Sequence, residues 1–84
     1  MKVVVEMALA HYDRFLERCD PSSKEYGVLK TGLIVRRPKG DQFERIVEIH
    51  CELEEARWLL HLARQIYPDA VADIEYAIAN PRDS

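Results

Sequence analysis

Apolar and polar positions change their period along this chain, and the changes divide it into short elements. Over residues 8–19, Leu9, Tyr12, Leu16 and Cys19 recur at three- and four-residue steps, while Asp13, Arg14, Glu17 and Arg18 fall between them. That spacing predicts an amphipathic helix. The segment before it, Lys2-Val3-Val4-Val5-Glu6, is β-branched and bounded by charge, which predicts a strand over about 2–7. Asp20-Pro21 pairs a capping residue with a proline at a first helical position, and Ser22-x-x-Glu25 is an overlapping capping box. A helix over about 21–30 follows, with Tyr26 and Leu29 inward and Gly32 as the left-handed residue that ends it.

The centre of the chain is the decisive stretch. Leu33-Ile34-Val35-Arg36-Arg37 leads into Pro38-Lys39-Gly40-Asp41, and then Phe43, Val47, Ile49 and Cys51 alternate with Glu44, Glu48 and His50. Period two predicts a β-hairpin over about 33–51. With Lys39-Gly40-Asp41 as its loop, Leu33 would face Val47 and Arg36 would face Glu44. Leu33, Val35, Val47, Ile49 and Cys51 would then share the core face, with Ile34 and Ile46 on the other. The rival reading is an all-α bundle with one helix over 42–67, supported by an Asp41-x-x-Glu44 capping box and a seam through Ile46, Ile49, Leu53, Ala56, Leu60, Ala63 and Tyr67. Three features favour the hairpin: its β-branched content, its turn residues, and the acids Glu52, Glu54 and Glu55, which suit a helix starting at 52.

Residues 52–67 carry a broad apolar stripe (Leu53, Ala56, Leu59, Leu60, Ala63 and Ile66), and Pro68 closes that helix. A last helix over 69–79 turns Val71, Ile74 and Ile78 inward and stops before Asn80-Pro81. The sum is an α+β fold, a small antiparallel sheet with helices packed on one face.

Length then limits the choices. The chain has 84 residues, 48% of them hydrophobic and 32% charged, so residues 1–84 form a single globular domain. Its stability should be about 4–12 kcal/mol. No apolar run approaches the roughly 20 residues that span a bilayer, and the N-terminus lacks the pattern of a signal peptide. Cys19 and Cys51 show no paired spacing, and the expectation is two thiols in a cytoplasmic protein with no membrane contact.

Charge is unevenly placed. Residues 30–45 hold five basic groups against two acids, whereas residues 46–84 hold three against eight. A basic hairpin tip can grip phosphates, and it can equally guard a sheet edge against aggregation. An isoelectric point of about 5.6 weakens the nucleic-acid reading. His50-Cys51, followed by Glu54 and Glu55, is the densest cluster of nucleophile- and ligand-type side chains. Adjacent strand residues point to opposite faces, however, so they cannot form a local dyad. No histidine or cysteine sits at a metal-ligand spacing, so no metal and no other cofactor is expected.

These readings favour a non-catalytic interaction or adaptor domain that acts through protein–protein contacts and self-associates as a homodimer. The contact residues expected are Arg36, Arg37, Lys39 and Arg45, with Trp58 as an aromatic anchor. The alternative is a nucleic-acid or phosphate binder using the same basic residues. A small-molecule enzyme around His50, Cys51 and Glu54 ranks third.

Overall fold

A computed structural model describes residues 1–82. Strand β1 (Lys2–Ala8) leads into helix α1 (Leu9–Arg18) and the short helix α2 (Lys24–Leu29). Strands β2 (Leu33–Lys39) and β3 (Gln42–Glu52) form the hairpin, followed by α3 (Leu53–Ile66), a 3₁₀ turn (Pro68–Ala70) and α4 (Val71–Ala79). The α+β fold is the one the periodicity implies, and the long helix over 42–67 does not form. Among the described residues no helix is long and apolar enough to cross a membrane.

The sheet order is β1-β3-β2, and both pairings are antiparallel. The alternating residues Val3, Val5 and Met7 of β1 and Val47, Ile49 and Cys51 of β3 point to one face. There they pack with Phe15 of α1, Leu29 of α2 and Leu59 of α3. Helix α4 lies alongside β1 and sends Ile74 into the same core. Helix α3 starts where it does because Glu52 and Glu55 form a reciprocal capping box that satisfies free backbone N–H groups.

Three expectations are corrected. Helix α2 begins at Lys24, not 21, because Ser23 is its N-cap: the Ser23 hydroxyl accepts from the Tyr26 N–H, while Asp20 is held in a turn with Ser22. Gly32 is not left-handed, since Gly40 is the sole residue with positive φ among those described. Gly32 is required by packing, because a Cβ there would sit 2.6 Å from Val47 Cγ1 and 3.0 Å from the Tyr12 ring.

The third correction is the hairpin register. Its loop is the two-residue Gly40-Asp41, with Lys39 paired to Gln42. A φ of +61° at Gly40 alone is the signature of a type II′ turn, whose twist matches that of the flanking strands. One residue fewer in the loop exchanges the faces of β2. Ile34 therefore opposes Val47 and Arg36 opposes Arg45 on the helix-side face, while Leu33, Val35 and Arg37 join Ile46 and Glu44 on the outer face.

Candidate functional site: the β2–β3 hairpin

The hairpin separates the basic residues into two groups. On the outer face Arg37 pairs with Glu6 of β1, and Lys39 Nζ lies 3.6 Å from Glu44 Oε2. Glu6 is also bonded by Arg82. Arg37 and Lys39 are thus already engaged by carboxylates.

The helix-side face differs. Arg36 and Arg45 are direct cross-strand partners, so two like charges oppose one another, an arrangement that destabilises a sheet. Among the described residues neither has an ion-pair partner. The Arg36 guanidinium rests 4.6 Å from the centre of the Phe43 ring, a cation–π contact. Around them Ile34 is 62% exposed and Phe43 59%, and Leu33 on the reverse face is also 59% exposed. These are the exposed large apolar residues of the hairpin, and they lie beside two uncompensated arginines.

The edge of β2 is open, and its hydrogen-bonding pattern follows from the register. The Leu53 N–H donates to the Met1 carbonyl at 2.8 Å, which extends the β1–β3 ladder by one pair and shows that odd-numbered pairs carry its bonds. Even-numbered residues of β3 therefore point their backbone groups at β2, where odd-numbered residues meet them. The N–H and C=O of Ile34 and Arg36 consequently face away from the sheet. Pro38 adds a carbonyl and, lacking an N–H, no donor.

Trp58, expected to join this surface, lies at the other end of β3. It lines a recess of about 270 Å³ with His50, Cys51 and Lys24, whose ammonium sits 4.2 Å from the Trp58 ring centre. From Phe43 to Cys51 the strand rises about 26 Å, too far for Trp58 to share a contact patch with the hairpin tip. The same recess holds the His50–Cys51 cluster. His50 Nε2 lies 3.1 Å from Glu48 Oε1 on the outer face, whereas Cys51 is buried on the core face. Burial, reinforced by Glu55 and Glu52 and opposed by Lys2, pushes the Cys51 thiol up to about 11. A thiol held protonated is a poor nucleophile.

A cleft of about 450 Å³ separates α4 from the outer face of β1, lined by Val4, Glu6, Arg37, Asp73, Tyr76, Ala77, Asn80 and Arg82. Partial burial raises the Asp73 carboxyl above its ordinary value, and the nearby His11 opposes the shift. His11 itself is held through Nδ1, 2.8 Å from the Tyr67 hydroxyl. Sequence patterning did not reveal this cleft, because its walls come from both ends of the chain and from β2.

Comparison with protein-family models, with curated proteins and with solved structures finds no match to this chain.

Proposed function

We propose that this chain is a non-catalytic interaction domain that docks a partner protein on its β2–β3 hairpin. The observation that carries the reading is the helix-side face of that hairpin, where exposed Ile34 and Phe43 flank two arginines that have no carboxylate partner among the described residues. Apolar anchors beside arginine are the composition of a contact surface. The buried, protonated Cys51 supports binding over thiol catalysis. Two buried thiols suit a reducing cytoplasm, the compartment we infer.

Self-association is the second reading, supported by the open β2 edge. β2 of a second copy would bring Arg36, Arg37 and Lys39 to that edge and no acid, so this pairing is less favourable there than one with an acidic strand. The stacked Arg36–Phe43 pair supports nucleic acid as a further alternative.

A photo-crosslinking residue at position 43, with the exposed position 61 as control, tests the proposal in living cells. Crosslinks from 43 to a protein, absent from 61, are expected. Crosslinks to nucleic acid, or none from 43, overturn it.

A further inference from the structure

We infer that the edge of β2 accepts an extended acidic segment of a partner protein as a fourth, antiparallel strand. This rests on the docking role proposed for the hairpin and specifies what docks there.

At the other end of the sheet α4 packs against β1, whereas β2 packs in the sheet on β3 alone. The outward N–H and C=O groups of Ile34 and Arg36 are two residues apart. That is the spacing at which an antiparallel strand exchanges closely spaced bonds, first at one residue and then at the next but one. Pro38 offers no donor, so the pairing is centred on Ile34–Arg36 and does not run on to the tip.

Register then fixes side-chain preference. The incoming residue opposite Arg36 lies on the helix-side face, in line with Arg36 and Arg45 across three strands. A carboxylate there meets a guanidinium that pairs with no acid among the described residues and relieves the Arg36–Arg45 repulsion. Two residues later in the incoming chain, the position opposite Ile34 takes an apolar side chain against an otherwise exposed surface. Between them, the residue opposite Val35 falls on the outer face, where Leu33 and Val35 favour another apolar group. The preferred segment reads acid, apolar, apolar from its N- to its C-terminal side. The basic residues and proline that discourage a second copy from pairing here leave an acidic strand as the complementary occupant.

The test uses the full chain, isotope-labelled, and a short synthetic peptide centred on Glu-Val-Val, with Lys-Val-Val as its control. In the free protein the Ile34 and Arg36 amides should exchange with solvent quickly, and those of Val35 and Arg37 slowly. Saturating Glu peptide should slow exchange at Ile34 and Arg36 about tenfold or more, and the Lys peptide should bind at least about tenfold more weakly. Arg36→Glu should reverse that preference, and its own spectrum reports whether it is folded. Peptide binding that moves the Phe43 and Arg45 resonances without protecting the two amides overturns strand addition and leaves docking intact. Failure of both peptides to bind, with crosslinks from position 43 still reaching a protein, overturns strand addition alone. Loss of those crosslinks as well overturns the docking role too. Tighter binding of a mixed-sequence oligonucleotide than of the Glu peptide overturns both.

Discussion

Arg37 of β2 and Glu6 of β1 pair across the full width of the sheet, over Ile46 of the strand between them. Glu6 is opposite Glu48 and Arg37 is opposite Glu44, so the line joining them crosses β3 at Ile46. Ile46 lies outside the main core and is still only 5% exposed. The bridge thus serves as a lid over an apolar residue that would otherwise face water, and it also offsets the like-charge pair Glu6–Glu48.

Arg37→Ala should therefore cost more than a surface ion pair does, about 1–2 kcal/mol, because apolar cover is lost with the charge. Lys39→Ala removes the more exposed contact with Glu44 and should cost less than about 0.5 kcal/mol. Urea unfolding of the two variants checks this, and equal midpoints would show that the arginine covers nothing.

The three glycines should respond differently to alanine. Gly32→Ala drives a methyl into Val47 and Tyr12 and should cost about 1–3 kcal/mol. Gly40→Ala forces a side chain into the left-handed region, at about 1–2 kcal/mol. Gly27→Ala, in α2 with open space around it, should stabilise by up to about 1 kcal/mol. Thermal melts of the three proteins give the order directly.

Cys51 should resist thiol reagents in the native protein at pH 8 and react readily in denaturant, since the folded thiol is buried and held protonated. Linkage gives a second readout. The folded thiol ionises near 11 and the unfolded one near 9, so between these values the native state binds the extra proton. Stability should fall as the pH climbs from about 9 to 11, and Cys51→Ala should flatten that limb. A native thiol labelled as fast as the unfolded one would contradict the assignment.

Asp73 carries the opposite liability at neutral pH. Burial raises its carboxyl above the unfolded value, so the charged form is disfavoured in the fold. The resulting sign is a relative stabilisation of the native state in acid that disappears as the pH rises through the folded pKa. Asp73→Asn should then shift the urea midpoint upward at pH 7, with the gain shrinking as the pH falls through the raised folded pKa and absent once the unfolded carboxyl is protonated as well. A variant less stable at pH 7 would indicate that the carboxylate is held by a favourable contact, with His11 as the first group to test.

Local chemistry made the order of elements legible. Alternation through Phe43, Val47, Ile49 and Cys51 identified β3, and the apolar stripe with Pro68 identified α3. The β-branched run Val3–Val5 identified β1. The capping residues were legible in kind, although Ser23 rather than Asp20 starts α2. Tyr26 and Leu29 of that helix still turn inward as its spacing requires.

The basic residues of the hairpin were visible in the sequence, and their roles were not. A strand repeats every two residues, so one residue of loop length decides which face every side chain of β2 takes. Composition around Gly40 permits either loop. Only the closed II′ turn and the packing of Val47 against Gly32 select one. That choice sends Arg37 to Glu6, leaves Arg36 against Arg45, and exposes Ile34. Sequence by itself determined the elements and their order along the chain, because period and capping are local. Tertiary structure decided which arginines are already paired and which backbone groups remain open, because both depend on register between strands distant in the chain.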